Sequence, residues 1–371
     1  MKKSKKFVVA GLVLLAAITG LLALTGCKTD VDTSSPQQEQ PGDTDNGNND
    51  NDASVITTSD PAAFIAAITT EGTYTIEVQG NPDMTAVANA LKDLASRLPG
   101  TRIHLDLGQS GITSIGNGAF AFCSSLASVK IPSLVTSIGR MAFEGCSSLA
   151  SVTFAEGSRL EIIGEYAFSE CSSLVSVEIP SSVTSIGKYA FMACSSLASV
   201  TFQAGSQFEI IEEYAFSDCS SLVSVEIPSS VTSIGNSAFW GCISLASVTF
   251  QAGSQLASIG NFAFYECSSL DSVEIPTSVK SIGNSAFYKC ISLASVKIPT
   301  SVTQIEDKAF AECSKLSTVK VEAEDPPILG TNVFDATDAG LKIQVPSSFV
   351  VDYINAENWS TYEDKFEAIT S

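Results

Sequence analysis

From Gly111 onward, apolar residues recur in a unit that reads I-G-x-x-A-F-x-x-C-x-x-L-x-x-V-x-[IF]. Aligning its cysteines, Cys123, Cys146, Cys171, Cys194, Cys219, Cys242, Cys267, Cys290 and Cys313, gives steps of 23 or 25 residues. Phenylalanine recurs with them from Phe120 to Phe310, each time after alanine, and leucine follows each cysteine by three residues. The two step lengths have a visible source. Short units carry Ile-Pro-x-x-Val-Thr-x-Ile, as at Ile179 to Ile186, and long ones carry Phe-x-x-Gly-Ser with extra residues, as at Phe202 to Ile211. A period of about 20–29 residues with regular apolar columns predicts a solenoid, because one unit is too small to fold alone and stacking makes its columns continuous.

Within each unit, L-x-x-V-x-[IF] has the alternation of a strand with one face buried. Strands at the same point of successive turns run parallel, ~4.8 Å apart. The expectation is an α/β-type solenoid with one parallel β-sheet of about ten rungs, ~45–50 Å long, and turns on the opposite side. The Ala-Phe pair should fill the back of each coil. Glycines such as Gly116, Gly139 and Gly164 suggest a tight turn, yet Glu212 and Glu306 share their column, so the position cannot require a glycine-only conformation.

A solenoid needs capping at both ends. Residues 55–107 read as a small α/β cap. Ser59 or Asp60 caps a short helix opened by Pro61, and Tyr74 to Val78 forms a strand. A second helix over about 83–98 places Val87, Leu91, Leu94 and Leu98 on one face, and Ile103, Leu105 and Leu107 lead into the first rung. The solenoid then spans 108–322, and 323–371 form a helical C-terminal cap with Phe349, Tyr353 and Trp359 on an amphipathic stretch.

The repeat resembles the BspA-type leucine-rich repeat family of bacterial surface proteins. The resemblance covers residues 103–371, including a closing segment with Pro326-Pro327, Phe334, Val345-Pro346, Trp359 and Tyr362. It implies the leucine-rich repeat fold, and attachment to host matrix proteins such as fibronectin or fibrinogen, or to other bacteria. The chain departs from ordinary leucine-rich repeats in lacking their asparagine ladder.

The N-terminus supplies an address. Basic residues 2–6 precede an apolar run from Phe7 to Leu24, as in a secretory signal. The run ends Leu24-Thr25-Gly26-Cys27, which resembles the lipobox of bacterial lipoproteins. That resemblance implies removal of residues 1–26, lipidation of Cys27 and, with Lys28 next to it, sorting to the outer membrane. Two or three acyl chains exceed the single chain that anchors only marginally. Residues 28–54 hold seven acids and two apolar side chains, Val31 and Ala53, so 27–54 reads as a lipidated cysteine with a disordered acidic tether. The acids near Gly47 lack the oxygen ligands that a calcium loop requires.

Composition narrows the chemistry. The chain has 371 residues with 40 acids and 20 bases, and four of those bases lie in the expected signal. Such a surface repels phosphate backbones and excludes nucleic acid as a partner. A lone histidine, His104, predicted to face solvent beside Asp106, leaves no base for the serines. The nine repeat cysteines lie side by side, which suits neither disulfides nor zinc, and read as buried thiols. No cofactor or metal is expected, and no catalysis. A two-carboxylate glycosidase built on Glu178 and Glu226 would have its acids too far apart on an open sheet.

Two surfaces remain. On the strands, the outward column Lys130, Thr153, Glu178, Thr201, Glu226, Thr249, Glu274, Lys297, Lys320 places glutamates on alternate rungs, about 10 Å apart. Beside it runs a column of serines. This forms a polar, concave face with an acidic centre suited to a protein partner, unless it is only a solvated face. After the Ala-Phe pairs, Trp240, Tyr265 and Tyr288 share one column, and Tyr166, Tyr189, Tyr214 and Phe262 another just before them. These aromatics fit an interface or a structural cover equally well. The sequence therefore predicts a tethered, non-catalytic adhesin on the cell surface; the alternative is a structural or shielding coat protein without a specific partner.

Overall fold

The computed structural model describes residues Ser54–Ile369. The expected signal segment, Cys27 and all but the last residue of the tether lie outside the described residues.

The chain opens with β1 (Ser54–Thr58), α1 (Pro61–Ala67), β2 (Thr73–Gly80), α2 (Met84–Arg97) and β3 (Arg102–Ser110). Of the two capping candidates, Asp60 is the one used. Its carboxylate accepts from the Ala63 N–H at 3.0 Å, with Pro61 at the first helical position, where no N–H is needed. Asp83 caps α2 by accepting from the Thr85 and Ala86 N–H groups. Val87, Leu91 and Leu94 are buried as expected, whereas Leu98 lies just past the helix end and is half-buried. The helix closes the interior at the first rung, where Ser125 Oγ donates to the Leu91 carbonyl at 2.8 Å. β1, which the sequence pattern did not mark, extends the sheet by one strand.

The main sheet has fourteen strands, all parallel and in chain order. Equivalent residues pair in register, as in Val177 with Val200 and Val225 with Val248. The expectation of one sheet needs correction. A second parallel sheet of ten two-residue strands, from Ser114–Ile115 to Ile328–Leu329, runs along another side of the coil. Each rung thus buries two apolar strand segments around one core.

The Ala-Phe turn adds a third ladder. In the rung of Phe168, the N–H groups of Tyr166, Phe168 and Glu170 donate to Lys188, Ala190 and Met192 of the next rung, at 3.0, 2.8 and 2.8 Å. The intervening N–H groups of Ala167, Ser169 and Cys171 close tight turns within the rung. This alternation puts two residues per rung in the left-handed region, the one before alanine and the one before cysteine: Tyr166 and Glu170 have φ of 57° and 58°. Such a conformation disfavours side chains by roughly 1–2 kcal/mol, yet here it lets alternate N–H groups reach the next rung while those between them close turns.

The Phe side chains form one interior stack from Phe120 to Phe310, with ring centroids 5.1–5.4 Å apart. A tenth rung follows, with Val333-Phe334 in place of Ala-Phe and no cysteine. From Gly139 onward the glycine column after Ile is explained by crowding, not by left-handed backbone, whereas a Cβ at Gly116 in the first rung would meet nothing. A Cβ at Gly187 would come within 2.7 Å of Glu165 N in the previous rung. Glu212 and Glu306 show that the neighbouring rung can give way locally.

The rear cap is helical as expected, in three short segments, and also supplies two strands. It consists of a strand at Lys342–Pro346, a short 3-10 turn, α3 (Val350–Asn355), a 3-10 segment at Trp359–Lys365 and an edge strand at Phe366–Ile369. Tyr353 and Trp359 are fully buried, and their polar atoms donate to the Ala323 and Pro327 carbonyls at 2.8 and 2.7 Å. Phe349 is half-buried.

Candidate binding surfaces

The cysteine column belongs to the interior. All nine thiols from Cys123 to Cys313 are free and buried. From Cys146 onward each Sγ donates to the carbonyl of the Phe in the preceding rung, as Cys194 does to Phe168 at 3.1 Å and Cys242 to Phe216 at 3.2 Å. Burial pushes the Cys123 and Cys194 thiols up to about 12 and raises those of Cys171, Cys219, Cys267 and Cys290. Thiols held so firmly neutral are poor nucleophiles and metal ligands.

His104 alternates with the buried Ile103 and Leu105 on the outer face beside Asp106, where it is half-buried. One ring nitrogen lies 2.7 Å from Ser128 Oγ, while Asp106 is engaged by Lys130 Nζ at 3.0 Å and the Gly108 N–H at 2.7 Å.

The two candidate surfaces lie on different segments of the coil. Glu178, Glu226 and Glu274 stand exposed on the main sheet; Thr201 and Thr249 separate them, paired in register with their neighbours. The charges around them are distributed unevenly. Lys130 pairs with Asp106 at 3.0 Å, Lys297 with Glu322 at 3.1 Å and Lys320 with the same carboxylate at 3.7 Å. Among the described residues, Glu178, Glu226 and Glu274 have no ion-pair partner. The centre of the sheet face is therefore negative, while each flanking lysine already has an ion-pair partner, one carboxylate serving both Lys297 and Lys320.

The strand pattern also conceals an aromatic element. The last strand position is Ile in short rungs, and Ile131, Ile179, Ile227 and Ile298 are 0% exposed. In the long rungs it is Phe154, Phe202 or Phe250, each only half-buried where the longer loop departs. Gly157, Gly205 and Gly253 turn these loops with φ of 69°, 85° and 78°, a conformation that requires glycine or strains its substitute. Each glutamate sits on the rung that follows a long one. A groove of about 310 Å3 lies over Phe154, Glu178 and Gln203, and one of about 490 Å3 over Phe250, Glu274 and Pro276. The sequence signal was present in the swap of Ile-Pro for Phe-x-x-Gly-Ser, but its effect on exposure was not legible.

The other aromatics form a stripe on the Ala-Phe turns. Tyr166, Tyr189 and Tyr214 stack at 4.6 and 4.9 Å with their planes 1° and 7° apart. Trp240 continues the stripe at 6.4 Å where one column ends and the other begins, followed by Tyr265 at 4.7 Å and Tyr288 at 5.0 Å. Arg140 lies 5.9 Å over Tyr166, and the Tyr288 hydroxyl donates to Glu312. That hydrogen bond, with partial burial, raises the Tyr288 phenol. Most of the ring faces are taken up by neighbouring rings, which leaves edges and hydroxyls toward solvent.

Beside the stripe, Asn236 and Asn261 accept from the backbone N–H of the next rung, both at 2.9 Å. Asn117 does the same for Arg140 at 2.9 Å. Asn117, Asn236 and Asn261 thus make a partial ladder of side-chain acceptors beside the stripe.

Among the described residues, no group of three or more His, Cys, Asp or Glu side chains could hold a metal ion, and no helix is long and apolar enough to cross a membrane. No curated protein matches the chain. Among solved structures, the pneumococcal vaccine antigen PcpA is 20% identical over 66% of this chain and 79% of its own, with a TM-score of 0.37. A leucine-rich repeat protein from Bacteroides ovatus is 24% identical over 85% and 92%, with a TM-score of 0.33. The leucine-rich repeat protein of T. pallidum is 25% identical over 49% and 84%, also at 0.33. The model of the BspA type leucine rich repeat region matches residues 113–246 and 244–357 in six copies, about two thirds of the chain. That model describes a repeat scaffold and names no activity. With its ten rungs and stacked Phe core, the chain belongs to the BspA-type leucine-rich repeat family.

Proposed function

We propose that this chain is a surface-displayed, non-catalytic binding module, tethered by lipid at Cys27, whose main-sheet face docks a protein partner with a basic surface. The observation that carries this reading is the row of Glu178, Glu226 and Glu274, exposed without ion-pair partners between lysines that are already engaged in ion pairs. Unpaired carboxylates on an open face attract a basic partner at long range and release it as salt rises. Host matrix proteins and the surfaces of other bacteria are the partners the family suggests, and adhesion is the role.

Binding of the full chain to immobilised matrix proteins and to whole bacteria, at low and high salt, tests the proposal. Salt-sensitive retention that is lost in the E178Q/E226Q/E274Q variant supports it. Retention at background level on every surface overturns it. Anchoring is tested separately, because labelled fatty acid should enter the parent protein and not Cys27→Ala.

The coat reading has one observation in its favour. The stripe of Tyr166, Tyr189, Tyr214, Trp240, Tyr265 and Tyr288 spends much of its ring surface on itself, as a structural cover does. Trp240, Tyr265 and Tyr288, candidates for partner contact by sequence, are accordingly assigned to stability.

A further inference from the structure

The glutamates and the long-rung phenylalanines share a two-rung period. Phe154, Phe202 and Phe250 each lie half-buried, packed against the core, one rung before Glu178, Glu226 and Glu274. The registers place Phe154 beside Ile131 and Phe202 beside Ile179, so every aromatic at this position has a fully buried Ile neighbour. The outer two positions open as the grooves of about 310 and 490 Å3. An aromatic surface next to an unpaired carboxylate is the combination that receives a lysine or arginine side chain, through ring face, apolar stem and charge together.

We infer that the main-sheet face is a three-toothed comb for an extended, proline-rich segment carrying a basic residue at every third position. This rests on the reading of that face as the docking surface. Two rungs of a parallel sheet span ~9.6 Å, since neighbouring strands lie ~4.8 Å apart. A polyproline II segment rises ~3.1 Å per residue with three residues per turn, so every third side chain returns to one face after ~9.3 Å. Over the three teeth the mismatch stays below about 1 Å. A β-strand turns its third residue to the opposite face, and an α-helix repeats a face at ~10.5 Å per seven residues, drifting by about 2 Å over the same length. The hydroxyls of Thr201 and Thr249, between the teeth, can serve the backbone carbonyls that a polyproline II segment leaves without internal partners. Lys130 on one side and Lys297 and Lys320 on the other close the row, so a fourth basic residue meets a lysine.

Two fluorescent peptides of equal composition test this against the full chain at low salt. One has Lys-Pro-Pro three times; the other has three lysines in succession followed by six prolines. The expected result is about tenfold tighter binding of the spaced peptide, as three exposed contacts of modest strength provide. Both E178Q/E226Q/E274Q and F154I/F202I/F250I should erase that preference. The second variant uses the residue that short rungs already carry in this column, and circular dichroism of both variants should match the parent. Equal binding of the two peptides, weakened alike by the glutamine variant, overturns the comb and leaves the acidic docking face standing. Binding of neither peptide, or no effect of the glutamine variant, overturns both.

Discussion

The main-sheet face and the Ala-Phe turn face are built from the same rungs, yet they use their side chains in opposite ways. On the turn face, rings stack on rings, Arg140 pairs with Glu165 at 3.3 Å, Lys188 with Glu213 at 3.0 Å and Lys289 with Glu266 at 3.2 Å. On the sheet face the central carboxylates have no such partners, and the aromatics of the long rungs stay only half-buried. Groups that satisfy one another contribute to stability and leave little to offer a ligand; groups left unsatisfied on a rigid sheet do the reverse.

Four measurements can break this contrast, taken in order of expected effect. The largest concerns the interior that both faces share. Phe239→Ala removes one ring from the middle of a continuous stack and should cost about 3–5 kcal/mol in urea unfolding. A cost below about 1 kcal/mol would show the stack to be loosely packed.

The second concerns the thiols of the turn segment. Their raised pKa favours the neutral form in the fold, so the stability they contribute is complete below the ordinary value of 9.0. It is lost as pH climbs toward about 12, where Cys123 and Cys194 ionise in the folded state. Melting temperature should fall steeply above pH 9, and Cys194→Ala should make that fall shallower. Equal slopes in the two proteins would assign the alkaline loss to other groups.

Third, Tyr265→Ala interrupts the stripe between Trp240 and Tyr288 and should lower stability by about 1 kcal/mol without changing partner binding. Lost binding with unchanged stability would reverse the assignment of the two faces. The smallest effect on stability is expected for Glu226→Gln, within about 0.5 kcal/mol, because the side chain is exposed and unpaired. It should nonetheless weaken the salt-dependent attachment. A clear stabilisation would mean that repulsion along the row, and not recognition, dominates its energetics.

The repeat made the rung, its parallel strand and its Phe column legible, because a buried column tolerates few residue types and so marks its period. Conformation imposed by hydrogen bonding left no such trace. The left-handed position before alanine holds Gly118, Met141, Tyr166, Ser237 and Lys308, a set without a common chemistry. The ladder to the next rung fixes its backbone whatever the side chain is. The second sheet was missed for a related reason, since strands of two residues are too short for an alternation to show. Of the candidate surfaces, the glutamate row was legible from alternation alone. The pairing of its flanking lysines was not, because Lys297 and Glu322 meet only through the fold.

The alternation of long and short rungs has a consequence for how such a molecule can vary. Glu178, Glu226 and Glu274 are 48 residues apart, so the pair of rungs, and not the single one, is the module that carries a complete tooth. Because each rung touches only its neighbours, a duplication or deletion of that pair would leave both ends intact and keep every column in phase. Gain or loss of one rung alone would put two short or two long rungs side by side and shift the spacing of the row. Relatives that differ in length by whole pairs would then differ in how long a segment they grip, with the grip at each step unchanged.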